Sequence, residues 1–475
     1  MYMKINNKLK MKINNSVVRI IAEDISINWH MPYMSEEPSK GQGSGFFIDK
    51  KGHILTCAHV INGSKNLYIE IPSLGSDKHE CIVVGMCPYF DIALLKTKKY
   101  IPKEYLLLGD SDKLEVGNEV QVVGYPVSYK SSANNINNLK YTIGIISGQQ
   151  KGLIQTDSAI NPGNSGGPLF CDNKIIGINS RKLVGESLEN IGYAVPINNY
   201  KVIIDDLFKD EIVYRPNLLF KYNNTDEHIL KDITNNKINK GIIVSKILKN
   251  SILYKSNIKK DSIITHINNF NIDNIGLSNY KWLGTQVDTD ILLNKFKNND
   301  IIEIKYYNID TKKIETEKIK LSPYIPVLRL MYPVFEKIPY FILGGIIFMN
   351  FCYNHLNASE NESLDLLCVT SKNDMIKPKL FVSFIFPNTQ ANILNNIRKN
   401  DFIVKVNDIS VSSLNKLKNI IKKPLIINKK EYIKIENSKG RSLLMPLKEM
   451  IEQDLVFSEI YKYPLNEMHE NFTSK

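Results

Sequence analysis

The sequence is poor in the features that mark several protein classes. Its six cysteines, at positions 57, 81, 87, 171, 352 and 368, are scattered and include no Cys-x-x-Cys pair. That spacing excludes a zinc framework and a disulfide-dense secreted scaffold, and the cysteines read as reduced thiols in a cytoplasmic or other reducing compartment. The N-terminal stretch "MYMKINNKLKMKINNS" is basic but lacks an apolar core of secretory length. The longest apolar run, "IPYFILGGIIFM" at 338–349, is too short to span a membrane as a helix and is interrupted by Pro339, Gly344 and Gly345. It reads as buried strands, and no membrane span is expected. Acidic residues are outnumbered, 49 against 61 basic ones, for a net charge of +12. A basic surface can attract nucleic acid, but the lysines are spread among asparagines and isoleucines along the whole chain, so this reads as compositional bias and no nucleic-acid partner is expected. No cofactor-binding or metal-ligand motif is present, and none is expected to be needed.

At 475 residues the chain has room for two to four domains. From 16 to 200 it is a succession of short runs rich in β-branched residues, among them "SVVRIIA", "HILTCAHVI", "IALLKT", "EVQVVGYP" and "KIIGINS", separated by Gly, Asn, Pro and Asp. This pattern predicts an all-β sandwich or pair of barrels. "YKVIIDDLFKDEI" at 200–212 has apolar spacings of three and four and predicts a closing helix, whereas "SSANNINNLK" at 131–140 predicts an exposed loop. The second half carries a diverged internal repeat. "VSKIL" at 244–248 matches "VSFIF" at 382–386, and "NIKKDSIITHIN" at 257–268 matches "NIRKNDFIVKVN" at 396–407. Two homologous units of strands and short helices follow from that offset, with the helical patterns "DILLNKFKNN" and "SLNKLKNIIKK" in corresponding places.

Three motifs in the first half carry chemistry together. "LTCAHV" puts His59 at the end of an apolar strand, "YFDIALL" puts Asp91 just before another, and "NPGNSGGPL" puts Ser165 in a glycine-rich turn. A hydroxyl is a weak nucleophile until a base takes its proton and a third group orients that base. His59, Asp91 and Ser165 fit these three roles in the chain order His, Asp, Ser. Gly163 lacks a Cβ, so its N–H and that of Ser165 can turn towards a developing oxyanion, and the loop Gly163, Asn164, Ser165 is the expected anion pocket. Gly166 and Gly167 let the chain pass close behind the serine. His53 and His79 lack comparable context and read as surface residues, and Asp157 reads as a turn-forming carboxylate.

These blocks resemble the HtrA/Deg family of trypsin-fold serine endopeptidases. "GSGFFID", "HILTCAHVI", "DIALLK", "VGYP", "QTDSAINPGNSGGPLF", "IIGINS" and "NIGYAVPI" occur in family order, and the resemblance covers a protease domain at 16–207 after an N-terminal extension at 1–15. It implies a mainly β chymotrypsin-like fold of two six-stranded barrels, with His59 and Asp91 from the first and Ser165 from the second. The repeats resemble α+β PDZ domains, one at 215–323 and a degenerate one at 324–450 as in the plant-type Deg branch, leaving a charged tail at 451–475 that is expected to be mobile. By position, Ile160, Asn179, Ser180 and Ala194 are expected to line the primary specificity pocket, which implies an aliphatic preference. Arg181 departs from the pattern beside the substrate strand. So does Leu219, which stands where a glycine commonly admits a peptide carboxylate, whereas the second PDZ-like repeat keeps Gly344 and Gly345. The family implies ATP-independent cleavage of unfolded or damaged proteins in protein quality control, by trimers or larger oligomers built from trimers. The alternative is a proteolytically idle PDZ scaffold or holdase chaperone, in which the serine loop lacks a formed anion pocket.

Overall fold

Short β-branched strands bury one face economically when a sheet closes on itself, because alternate side chains then share one interior. The first half of the chain follows this rule twice. In the computed structural model, which describes residues 7–24, 27–126, 138–180, 191–358 and 377–469, β1 (Val17–Asp24), β2 (Ser39–Phe47), β3 (His53–Thr56), β4 (Ser64–Glu70), β5 (Lys78–Cys87) and β6 (Ile92–Thr97) form a closed barrel in the order β1-β2-β3-β6-β5-β4. A second closed barrel contains β7 (Glu119–Gly124), β8 (Lys140–Gln150), β9 (Leu153–Thr156), β10 (Pro168–Cys171), β11 (Lys174–Ser180) and β12 (Gly192–Pro196), in the order β10-β11-β12-β9-β8-β7. The pattern is legible along β1, where Val18, Ile20 and Ala22 are fully buried and the intervening Arg19 pairs with Glu70 of β4. The mainly β, chymotrypsin-like double barrel expected from the sequence is the observed fold.

Two local readings change, and the N-terminal extension gains a structure. The helix expected at 200–212 runs from Ile197 to Leu207. It stops early because Met86 captures the following chain, accepting from Val213 N–H at 2.7 Å and donating to Glu211 C=O at 2.9 Å. His53 is not a surface residue: its ring is buried, bonds Asp49 at 2.6 Å and meets Phe208 edge-on. The N-terminal extension is a helix from Asn7 to Ser16, whose Ile13 joins Val17 in the core of the first barrel. His79 is half-buried against Tyr100, and the exposed Asp157 accepts from Ile145 N–H at 2.7 Å. Of the loop expected at 131–140, residues 131–137 lie outside the described residues, as does Arg181.

The matched segments of the second half become equivalent strands. Ile242–Ile247 pairs antiparallel with Ile263–Ile267, and Leu380–Ile385 pairs antiparallel with Phe402–Val406. The first pair belongs to a sheet that adds Phe220–Asn223, Ile301–Asn308 and Lys313–Lys320; the second belongs to a sheet that adds Tyr340–Leu343, Ile346–Asn350, Leu425–Ile427 and Lys430–Asn437. The helical patterns appear as Thr289–Leu293 and Leu414–Ile421. The apolar run at 338–349 supplies two buried strands of the second sheet. Among the described residues no helix is long and apolar enough to cross a membrane.

By internal packing the chain divides into two units, Met1–Asp24 with Lys40–Ile325 and Ile25–Ser39 with Pro326–Lys475. The second contains two departures from expectation. Residues 27–38, in the chain between β1 and β2, pack within the C-terminal unit: Trp29 meets His355 edge-on at 5.6 Å, and Ser383 Oγ donates to His30 C=O at 3.0 Å. The tail expected to be mobile from 451 is instead entered by a helix, Leu447–Tyr461, that crosses the expected boundary at 450. Its charged residues hide a spacing of three, four and seven, so that Leu447, Met450, Ile451 and Asp454 are all buried on one stripe. Replacing Met450 or Ile451 by alanine therefore removes core atoms. Each change is expected to destabilise the C-terminal unit by about 2–5 kcal/mol, read as a lower denaturation midpoint; an unpacked tail would leave the midpoint unmoved.

Candidate active site

Asp91 enters the site at the start of β6 with φ +57°, a left-handed conformation that aspartate tolerates better than most residues. In that conformation its backbone and both carboxylate oxygens serve the His59 segment. Its C=O accepts from Ala58 N–H at 3.2 Å, Oδ1 accepts from His59 N–H at 2.9 Å, and Oδ2 lies 2.7 Å from His59 Nδ1. An ionised carboxylate can only accept, so Nδ1 carries the ring proton and Nε2 is left as the basic nitrogen. The His59 side chain is 24% exposed and that of Asp91 only 8%, so the imidazole reaches solvent while its partner stays dry.

A third donor completes Asp91. Ser180, at the end of β11, directs its hydroxyl to Asp91 Oδ2 at 2.8 Å. Burial alone would raise the pKa of Asp91, but the His59 ring hydrogen bond and charge, the His59 amide and the Ser180 hydroxyl outweigh it and hold the carboxyl below its ordinary value of 3.8. Cys57 Sγ lies beside this pair, fully buried, and donates to Asn179 C=O at 3.2 Å. Burial, then the neighbouring Asp91 charge, raises its pKa well above the usual thiol range, so the thiol stays protonated. Ligand-type atoms of Cys57, His59 and Asp91 lie within 4.8 Å of one another. His59 and Asp91 are already committed to each other and Cys57 to Asn179, so their geometry is that of a hydrogen-bonded group.

The serine loop is fixed from both sides. Ser44, in β2 of the first barrel, donates its N–H to Ser165 C=O at 2.9 Å and its hydroxyl to Gly163 C=O at 2.7 Å, while accepting from Tyr125 N–H at 2.9 Å. From the second barrel, Asn179 C=O accepts from Gly166 N–H at 2.8 Å and Asn179 N–H donates to Gly167 C=O at 2.9 Å. Gly166 has φ +85°, and a Cβ there would lie 2.2 Å from both Ser44 O and Thr56 Oγ1 and 3.1 Å from the backbone nitrogen of Cys57. This close passage brings the turn containing Ser165 against the segment that leads into His59. Ser165 itself is 6% exposed.

Gly163 has φ +93°, and among the described residues its N–H is not engaged in a hydrogen bond. Asn164 differs from the expectation: its N–H is spent on Asn161 C=O at 3.0 Å, so it does not supply an anion-pocket donor. Of the expected specificity residues, Asn179 lies opposite Ala194 across the β11–β12 pair. The side chain of Ser180 goes to Asp91, and that of Asn179 donates to Pro168 C=O at 3.0 Å. Ala194 is fully buried in the cluster that also contains Ile160. Ile160 is at the margin of burial and packs beside Gly192, where a Cβ would stand 2.9 Å from Ile160 Cδ1. Two residues have larger roles than their sequence context suggested. Ser44 was visible only as part of "GSGFFID", and nothing local announces that a serine between two glycines will bridge to residues more than a hundred positions away. Ser180 was legible as a strand end but not as the third donor to Asp91.

A carboxyl whose pKa falls on folding contributes stability above its unfolded value, and that contribution is lost as the pH drops through the lower folded value. Below about pH 4 the urea midpoint of the natural chain is therefore expected to fall more steeply than that of Asp91→Asn. Ser180→Ala, which removes one stabilising donor and so raises the folded value, makes that fall smaller and ends it at a higher pH, while its onset, set by the unfolded carboxyl, stays in place. Identical acid profiles for all three proteins would contradict the assigned hydrogen bonds.

A trypsin-like peptidase domain model matches residues 43–178, the stretch from the end of β2 through most of β11. The chain is 30% identical over 317 residues to the serine protease Do-like HtrA of Bacillus subtilis, covering 61% of this chain and 65% of that protein. It is 29% identical over 289 residues to a probable periplasmic serine endoprotease DegP-like of Chlamydia pneumoniae, covering 58% and 57%. A putative protease Do-like 14 of Arabidopsis thaliana is 28% identical over 276 residues, covering 53% and 62%. The chain thus spans between about half and two thirds of the length of these relatives. A solved HtrA-type protease, "AlgWS227A with decapeptide", superposes with a TM-score of 0.50 over 67% of this chain and 97% of that one at 19% identity, which shows a shared fold. Residues 43–178 thus match a trypsin-like peptidase domain, and the chain is similar in sequence to HtrA/DegP-like serine proteases.

Proposed function

We propose that the chain is a serine endopeptidase that hydrolyses peptide bonds through His59, Asp91 and Ser165. The observation that carries the reading is the full engagement of Asp91 by the His59 amide, the His59 ring and the Ser180 hydroxyl, beside a serine turn whose glycine admits no Cβ. Holding Nδ1–H on Asp91 leaves Nε2 free to take the Ser165 hydroxyl proton as Oγ attacks the scissile carbonyl. The carbonyl π bond opens, and its oxygen takes the negative charge against the Gly163 and Ser165 N–H groups. His59 then delivers its proton to the leaving amine as the C–N bond breaks, giving an acyl-serine. Water repeats the sequence with His59 as base, releasing the acid and restoring Ser165 Oγ–H. One donor of the anion pocket is worth roughly a hundred- to a thousandfold in rate, so the positive φ of Gly163 is an energetic requirement of the step.

The substrates on this reading are unfolded or damaged proteins, cleaved without ATP, with Ile160 favouring an aliphatic side chain before the scissile bond. The two C-terminal sheets serve as PDZ-like modules, and the working particle is a trimer or an oligomer of trimers. The described cysteines, buried as free thiols, support a reducing compartment.

Purified protein incubated with casein is expected to degrade it, and Ser165→Ala to reduce the rate by at least about a thousandfold with unchanged thermal stability. A fluorophosphonate probe should add to Ser165 in the natural chain alone. Undiminished cleavage by Ser165→Ala removes the assignment. Absence of turnover by the natural chain, together with suppression of client aggregation, supports the holdase alternative instead.

A further inference from the structure

The C-terminal unit contains a second buried carboxylate whose surroundings are as complete as those of Asp91, in a place the peptidase reading does not use. The hairpin between the strands Tyr340–Leu343 and Ile346–Asn350 turns through Gly344 and Gly345, with φ +59° and +73°. Two successive left-handed residues aim neighbouring N–H groups at one point, making a concavity that takes an anion. That point is occupied. Asp454, from the helix Leu447–Tyr461, accepts from Gly344 N–H through Oδ2 and from Gly345 N–H through Oδ1, each at 2.8 Å.

Further donors hold the same group. Tyr463 O–H reaches Asp454 Oδ1 at 3.1 Å, and His469 Nε2 lies 3.0 Å from Oδ2. His469 Nδ1 accepts from Asn466 N–H at 3.2 Å, so in the neutral ring the proton sits on Nε2 and is given to Asp454. Asn466 Nδ2 in turn donates to Ile342 C=O at 2.8 Å, returning the segment to the strand that leads into the glycine turn. Tyr463 is wedged between Phe386, stacked at 5.1 Å, and Tyr33, edge-on at 5.9 Å. Asp454 and His469 are both completely buried. Met450, one helical turn before Asp454, fills the space over Gly344, where a Cβ would lie 2.6 Å from Met450 Cε.

From this geometry we infer that the Gly344–Gly345 turn is a carboxylate-binding site and that the chain's own Asp454 is its resident ligand. A two-point carboxylate contact from two adjacent amides is what the C-terminal carboxylate of a peptide would make. The C-terminal helix therefore closes this unit to such peptides, and displacing the helix opens it. An occupied site lowers the apparent affinity for an outside ligand in proportion to the fraction of time it is closed. In the first sheet Leu219, at φ +47°, instead donates its N–H locally to Asn217 Oδ1 at 2.8 Å.

The inference is independent of the peptidase reading and is tested without activity, in the full chain carrying Ser165→Ala so that the probe is not cut. The probe is a fluorescein-labelled peptide Ala-Ala-Ala-Val-Val with a free C-terminal carboxylate, compared with its C-terminal amide. Asp454→Asn and Asp454→Ala are each expected to bind the free-acid peptide about tenfold or more tighter than the parent, with no gain for the amide. A folded Asp454 variant without that gain, or with an equal gain for both peptides, overturns the inference. Should both variants fail to fold, the parent chain decides. Saturating free-acid peptide is expected to raise amide hydrogen exchange across 447–461, the amide peptide is not, and no rise with the free acid overturns the proposal.

Discussion

The candidate site depends on one carboxylate being kept ionised where water does not reach it. A lone buried charge would be driven to its neutral form. Asp91 escapes because every acceptor it offers is answered, twice by His59 and once by Ser180. Its left-handed backbone lets the main-chain carbonyl serve Ala58 at the same time. The His59 ring takes its tautomer from Asp91, and the end of β11 adds the Ser180 hydroxyl to the same carboxylate. The same strand end, through Asn179, holds Gly166 and Gly167 behind the serine. The Ser165 turn is thus held by backbone contacts from Asn179 and Ser44, while the His59 ring is held by the Asp91 side chain.

Ser44 performs the complementary task across the two barrels. Its amide, hydroxyl and carbonyl meet Ser165 C=O, Gly163 C=O, Tyr125 N–H and Thr56 Oγ1. A hydroxyl that both donates and accepts is suited to join two peptide groups facing opposite ways. An alanine would leave a buried carbonyl and a buried amide unanswered.

Much of this was legible from residue order, and the limits of legibility have physical causes. Strands with a dry face announce themselves through β-branched runs, so both barrels and the paired strands of the repeat were readable. The placement of His59, Asp91 and Ser165 at strand ends and a glycine turn, where a side chain can leave the core, was readable. The partners of Asp91 and of the serine turn were not, since a hydroxyl in "GSG" or "INS" carries no mark of where its hydrogen bond will go. Asn164 was misjudged because a turn consumes its amide, a matter of φ and ψ that composition does not record. The C-terminal helix was misread because its charged outer face dominates its composition, and the apolar stripe emerges only when residues are counted by threes and fours. The inclusion of 27–38 in the C-terminal unit rests on aromatic packing between residues some three hundred positions apart, which no local pattern encodes.

That last feature bears on the order in which the chain can mature as it is made. β1 and β2 are neighbours in a closed barrel, yet the aromatic residues of the connection between them find their packing partners only in the last third of the chain. At about 5–20 residues per second, synthesis leaves Trp29 and Tyr33 without those partners for roughly 20–90 s after they emerge. The barrel can close in that interval, but its first connection stays an unpacked aromatic segment until the last sheet arrives. Those rings are hydrophobic surface on an otherwise finished domain. The nascent chain therefore exposes the same kind of feature by which an unfolded protein is recognised, and completing the C-terminal sheet is what conceals it.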